Sequence, residues 1–216
     1  SMLVLAYQRM AQVPAEKLAQ VLDCFTETAL EIGEGQEYDM AFETRNDVRE
    51  EEYIEMIRLK TSVLLACATK IGAILADAPK EDVENLYRFG ERMGLAFQLQ
   101  DDLLDVYGDS KVFGKAIGGD ITSNKKTYML INAFNRATDK QRAELTRWVE
   151  ATTFDRQEKV AAATRLYDEI GIRQLCEEKI NDYFQQAAES LDKVGVDGER
   201  KQMLRQYMDQ LLHRNK

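Results

Sequence analysis

The chain has little that would break a helix and little that would build histidine or zinc chemistry. Two prolines, Pro14 and Pro79, and twelve glycines are spread over 216 residues. That excludes a fold of many short strands and tight turns. Long stretches of Ala, Leu, Glu, Lys, Gln and Met favour helices instead. The lone histidine, His213, stands near the end of the sequence, which argues against histidine-based catalysis and a zinc site. Three cysteines, Cys24, Cys67 and Cys176, are isolated, without metal or redox spacing, and read as reduced core residues of a cytoplasmic protein. A net charge of −9 argues against non-specific nucleic-acid binding. No apolar run approaches membrane-spanning length, Val63 to Ala68 being among the longest, and no secretory signal is visible.

What remains is an all-α chain, 44% hydrophobic, with apolar residues enough for one sizeable core or two small ones. Periodicity predicts a first helix to about Ala11. Pro14 suits the first turn of the second, with Leu18, Val21, Leu22, Phe25, Ala29 and Ile32 at helical spacing. Asn46-Asp47 with Glu50 reads as a capping box for a third helix reaching about Ala76. A fourth runs from about Glu81 to Tyr107, where Gly108 stops it. A polar loop, Asp109 to Asn124, precedes helices at about Lys125–Ala137, Asp139–Ala151, Asp155–Ile170, Ile172–Val194 and Gly198–His213. Asp155 with Glu158 reads as another capping box, and Gly171 and Gly195 as stops. No linker or repeat interrupts the pattern, so a single domain over 1–216 is expected. Ser1-Met2-Leu3-Val4-Leu5-Ala6-Tyr7 opens inside an apolar helical pattern without a cap, and a chain lacking an earlier part is the expectation.

The fourth helix carries the strongest signal. Gln98, Asp101, Asp102 and Asp105 fall at i, i+3, i+4 and i+7, on one face. Around them stand Leu95, Ala96, Phe97, Leu99, Leu103, Leu104 and Val106, and a helix apolar nearly all round is a buried one. Like charges at i, i+4 repel, and burial makes the repulsion worse. The alternative is a solvated acidic face, which the apolar flanks oppose. Three buried carboxylates need a cation, a proton or a water-filled cavity. A hard cation such as Mg²⁺ binds a few carboxylates together with substrate phosphates and keeps several waters.

Ammonium groups answer these acids. Lys60 sits mid-helix among Met56, Ile57, Val63 and Leu64, with Thr61 beside it. Its stem either snorkels to the surface or aims its ammonium at a buried anion. Lys115 follows Gly114 in the loop after the acidic helix, and Lys125 and Lys126 open the next helix. Carboxylates need no such number of lysines, and lysines need no metal. A diphosphate bridged to the carboxylates by Mg²⁺ needs both.

At these residues the chain resembles a known family. Phe97-Gln98-x-x-Asp101-Asp102-x-x-Asp105 resembles the second aspartate-rich motif of the trans-isoprenyl diphosphate synthases, or polyprenyl synthetases. Gly35-Gln36-x-x-Asp39 is similar to the family's GQ-x-x-D element, and Lys60-Thr61 to its KT pair. Gly114-Lys115, Gly119-Asp120-Ile121 and Asn124-Lys125 are similar to the loop and lysine after the second motif. The resemblance implies an isoprenoid-synthase-type helical bundle around a central cavity, here incomplete. It implies Mg²⁺-dependent head-to-tail condensation of an allylic diphosphate with isopentenyl diphosphate through an allylic carbocation. Asp101, with Asp102 and Asp105, would hold Mg²⁺ directly or through water. Lys60, Lys115 and Lys125 would contact the allylic diphosphate, with Thr61 and Gln98 nearby as groups that stabilise developing charge. A homodimer packed through helices matching residues 2–32 is also implied. The stripe Leu18, Leu22, Phe25, Ala29, Ile32 reads equally as that surface or as core.

One departure is serious. The family's first DD-x-x-D is absent from these residues. Glu50-Glu51-Glu52 and Glu177-Glu178 lack its pattern. The expectation is therefore half of the metal site and no condensation by this chain alone. Two other classes compete: a noncatalytic subunit of a heteromeric prenyl synthase, and a helical metal-binding or interaction module without chemistry. Another class I terpenoid synthase is a related alternative that the lysines between 114 and 125 disfavour.

Overall fold

The long helices follow from the scarcity of breaks, and both prolines lie between helices. A computed structural model describes residues 2–108 and 117–212. In chain order the elements are α1 (Met2–Met10), α2 (Leu18–Thr44), α3 (Glu50–Ile57), a π-turn (Arg58–Ser62), α4 (Val63–Leu75) and α5 (Lys80–Tyr107). They continue with α6 (Gly119–Thr122), α7 (Tyr128–Arg136), α8 (Asp139–Glu150), α9 (Arg156–Ile170), α10 (Ile172–Asp192) and α11 (Gly198–Leu212). No strand occurs among the described residues. No helix among them is long and apolar enough to cross a membrane.

Helix α5 is the central element. It lies between α4 and α10, its most extensive neighbours. Phe89, Met93, Leu95, Ala96, Leu99, Leu103 and Val106 bury almost its whole circumference. Each large apolar side chain removed from water there contributes about 1.5–3 kcal/mol, which fixes α5 and so the residues it carries. Helix α2 crosses the π-turn and α4, burying Val21, Cys24, Thr28, Gly35 and Phe42. The stripe Leu18, Leu22, Phe25, Ala29, Ile32 lies to one side of that face and is half-buried. Helix α1 rests on it, with Tyr7 edge-on to Phe25 at 4.9 Å between ring centroids.

Several boundaries differ from expectation. The predicted helix to Ala76 is split by the π-turn, which holds Lys60 and Thr61. Its start is set by Arg49, whose backbone N–H donates to the Glu52 carboxylate at 3.0 Å, and not by Asn46-Asp47 with Glu50. Asp47 is instead engaged by Arg45 at 2.9 Å. The predicted 109–124 loop contains the single turn α6. Lys125 and Lys126 precede α7 and do not open it, because Thr127 caps that helix by accepting the Leu130 N–H at 3.3 Å. Asp155 caps α9 by accepting the Glu158 N–H at 2.9 Å, and Gly171 ends it at φ +81°. Helix α10 stops at Asp192, before Gly195, whose N–H donates to Asp82 at 2.8 Å.

Candidate functional site

The acidic face of α5 runs from core to solvent. Asp102 is 3% exposed, Asp105 is half-buried and Asp101 is exposed. This corrects the expectation of three buried carboxylates. Consecutive helical residues diverge by about 100°, so a stripe holding both Asp101 and Asp102 must have two margins. Among the described residues no three His, Cys, Asp or Glu side chains are grouped so as to hold a metal ion by themselves.

Asp102 is the best-connected of the three. One oxygen accepts from the Tyr53 hydroxyl. The other accepts from Gln98 Nε2 at 3.1 Å and lies 3.7 Å from Lys125 Nζ. The Thr61 hydroxyl donates to Gln98 Oε1 at 3.0 Å, so a chain Thr61–Gln98–Asp102 links the π-turn to α5. Lys60 Nζ meets Asp39 at 2.6 Å. These two come together because α2 approaches the π-turn at Gly35, where a Cβ would lie 2.4 Å from Lys60 N. A cavity of about 30 Å³ is lined by Asp39, Tyr53, Lys60, Thr61, Gln98, Asp102 and Lys125.

Asp105 turns the other way. Its side chain accepts from the Asp120 N–H at 2.8 Å, and its backbone carbonyl accepts from Gly118 N–H at 2.6 Å. It thus ties the end of α5 to the start of α6. Asp120 brings a further carboxylate, 3.8 Å from Lys125.

The electrostatics follow from burial. Desolvation raises the Asp102 pKa above the usual carboxylate range, against the pull of Lys125, Tyr53 and Gln98. Burial pushes Asp120 up to about 7, with Lys125 opposing and the neighbouring aspartates reinforcing. Burial alone would lower Lys125, but Asp102, Asp120, Asp39 and Asp101 together outweigh it and hold the ammonium above its ordinary value. An oxygen-rich, negative surface with two flanking ammoniums suits a hard divalent cation that keeps waters and shares a polyanion.

The structure thus brings Lys60, Thr61, Gln98, Asp102 and Lys125 to one cavity and leaves Asp101 and Asp105 beside it. Lys115 lies outside the described residues. Tyr53 was missed, although it shares the face of Met56, Ile57 and Lys60 at helical spacing and could have been read with them. Asp39 and Asp120 stand in the sequence elements Gly35-Gln36-x-x-Asp39 and Gly119-Asp120-Ile121, whose pattern alone assigns neither a partner.

An all-α bundle that gathers acids and ammoniums in this way has the fold of the isoprenoid synthases. The chain belongs to the polyprenyl synthetase family, whose family model matches residues 1–167. It is 36% identical over 211 residues to the geranylgeranyl diphosphate synthase of Methanosarcina mazei, covering 97% of this chain and 63% of that protein. A crystal structure of a geranylgeranyl pyrophosphate synthase superposes with a TM-score of 0.93 at 36% identity, over 100% of this chain and 67% of the other. The Corynebacterium glutamicum geranylgeranyl pyrophosphate synthase, solved with isoprenyl diphosphate and magnesium, superposes with a TM-score of 0.88 at 28% identity, over 99% and 61%. The chain spans between half and two thirds of the length of curated relatives it matches.

Proposed function

We propose that the protein is a prenyltransferase of isoprenoid biosynthesis, of the dimethylallyl- or geranyl-transferring type. It would condense an allylic diphosphate with isopentenyl diphosphate head to tail. The observation that carries this reading is the small cavity where the Thr61–Gln98–Asp102 chain meets the ammoniums of Lys60 and Lys125. Mg²⁺, when bound, would neutralise the departing diphosphate. Asp101, Asp102 and Asp105 would hold the metal directly or through water, and the Asp102 and Asp105 oxygens also accept from Gln98, Tyr53 and Asp120. Lys60 and Lys125, with Lys115, would take the remaining phosphate oxygens. As the allylic C–O bond lengthens, positive charge develops on the allylic carbon. Thr61 and Gln98 present oxygen dipoles there, held in place beforehand by their mutual hydrogen bond. Attack by the isopentenyl double bond and loss of a proton complete the product.

A cytoplasmic homodimer, with residues 1–216 acting as a single domain, belongs to the same proposal. The half-buried stripe on α2 and the exposed Leu3, Val4 and Leu30 support an interface there. Isothermal titration tests the reading. Inorganic diphosphate should bind the 216-residue chain when Mg²⁺ is present and not in its absence, and Asp101→Asn should weaken that binding. A chain that binds no Mg²⁺–diphosphate refutes it. Because these residues carry one aspartate-rich motif, an assay of the same chain with both diphosphates should show no condensation. Turnover at ordinary enzyme rates would overturn that expectation.

A further inference from the structure

The segment 117–125 carries Asp120 and Lys125, yet little of its own sequence fixes it. Its α-helix is a single turn, and its two ends are left-handed, Gly118 at φ +80° and Asn124 at φ +55°. Both ends are gripped by one neighbour, the start of α9. Arg156 Nη2 donates to the Ile117 carbonyl at 2.6 Å. The methyls of Val160 fill the space where a Cβ on residue 118 would sit, one of them 2.5 Å from that position. At the far end Lys159 Nζ donates to Asn124 Oδ1 at 2.7 Å, while Asn124 Nδ2 donates to the Val149 carbonyl at 2.9 Å.

Lys159 is an unusual residue to find there. It is 1% exposed, and no described carboxylate lies within ion-pair distance of it. Its ammonium lies 4.2 Å from the centroid of the Phe154 ring. Burial lowers its pKa. A buried lysine without a carboxylate is costly, so an amide oxygen and a ring face must hold it. A non-glycine residue at positive φ is also costly, and Asn tolerates it best when its side chain is hydrogen-bonded. The two costs are met by the same bond. Immediately after Asn124, the Lys125 N–H donates to the Asp120 carbonyl at 3.0 Å, and Lys125 Nζ reaches Asp102 and Asp120.

We propose that Lys159 is a positioning residue for the diphosphate site. Through Asn124 it locks the left-handed step that aims Lys125 at Asp102 and Asp120. The inference rests on the proposed function for its consequence, but not for its geometry. Its test therefore has two readouts on the 216-residue chain. The first is amide hydrogen exchange at Lys125. Lys159→Met keeps the stem and removes the donor, and should speed that exchange about tenfold, as expected for a lost hydrogen bond to a charged donor. The second is Mg²⁺–inorganic diphosphate affinity, which should fall by about the same factor in the variant. Asn124→Gly in the Lys159→Met background supplies a residue that adopts positive φ freely, so it should restore most of the affinity. A lysine that merely packs the core would not be rescued by a glycine at 124. Unchanged exchange at Lys125 in Lys159→Met, or a loss of affinity that Asn124→Gly leaves in place, overturns the latch. A wild-type chain that fails to bind Mg²⁺–diphosphate refutes the proposed function, and the exchange readout still decides the latch.

Discussion

Two glycines on one helix should respond to alanine with opposite signs. Gly35 and Gly33 are both in the long α2, two residues apart. At Gly35 an added Cβ would lie 2.4 Å from Lys60 N, 2.8 Å from Lys60 Cα and 2.9 Å from Leu59 C. All three are backbone atoms of the π-turn, so no side-chain rotation relieves them. Ordinary carbon contacts are about 3.5 Å, so α2 and the π-turn must separate by roughly 1 Å. Overpacking of this kind costs about 1–3 kcal/mol, toward the upper end when backbone must move. The better helix propensity of alanine returns about 1 kcal/mol. Gly35→Ala should therefore destabilise by about 2 kcal/mol. At Gly33 nothing lies within 4 Å of the added atom and the residue is exposed. Gly33→Ala should stabilise by about 0.5–1 kcal/mol. Urea denaturation followed by circular dichroism measures both. Gly35→Ala should also weaken Mg²⁺–diphosphate binding, because the displaced segment holds Lys60 and Thr61. If the two variants shift the urea midpoint in the same direction, the account of the α2 contact is wrong.

Two further perturbations follow from the site and the core. Asp102 and Asp120 both titrate above the ordinary value of 3.8, Asp120 at about 7, so the folded chain holds more protons than the unfolded chain across that window. Without Mg²⁺ the unfolding free energy should thus fall as pH rises from 5.5 to 6.5; a rise would refute the assignment. Tyr53→Phe removes a donor to Asp102 and should cost about 1.5–3 kcal/mol while that carboxylate is ionised; an unchanged urea midpoint would refute the pairing. Cys24 Sγ lies 3.7 Å from Cys67 Sγ, and the hydrogen bond from Cys24, with help from Thr28 and Lys70, holds the Cys67 thiol below its ordinary value. Diamide should therefore link the pair, closing a loop across 43 positions for about 4 kcal/mol of added stability by chain entropy. Persistence of both free thiols in the folded, diamide-treated chain would refute the contact.

The parts of this protein legible in its sequence are those written in local periodicity. The all-α fold follows from composition, and the burial of α5 from its apolar circumference. Spacing picked out Gln98 and Asp102 on one face, the need of a buried charge for a partner drew attention to Lys60 and Lys125, and the place of Thr61 in the site came from the family resemblance. What spacing could not supply is pairing between distant segments. Asp39 with Lys60, Tyr53 with Asp102, and Cys24 with Cys67 are each contacts between separate elements, set by how α2, α3, the π-turn, α4 and α5 pack. The π-turn itself is invisible to a 3.6-residue pattern, because its extra residue changes the hydrogen-bonding step without changing the residue types. The start of α7 was misplaced because Lys125 and Lys126 suit a helix, whereas Thr127 caps it.

The charge arrangement imposes an order on the proposed site. Asp39, Asp101, Asp102, Asp105 and Asp120 stand around Lys60 and Lys125, and Asp102, Asp120, Asp39 and Asp101 raise the Lys125 pKa. With five carboxylates against two described ammoniums, the surface is negative, and a free diphosphate approaching it meets repulsion. Lys60 and Lys125 do not offer themselves as open cation sites either, since each already faces an aspartate. A divalent cation changes both conditions together. When bound, it would lower the charge of the acidic margin, and Lys60 and Lys125 would then be able to turn from Asp39 and Asp102 toward phosphate oxygens. Diphosphate affinity on this reading is therefore conditional on the metal, and the lysines contribute only once the carboxylates have something else to neutralise them. That is why the buried Asp102 can be held so fully by Tyr53, Gln98 and Lys125. In the proposed site it would keep the ammonium aimed while a metal bound at the aspartate face.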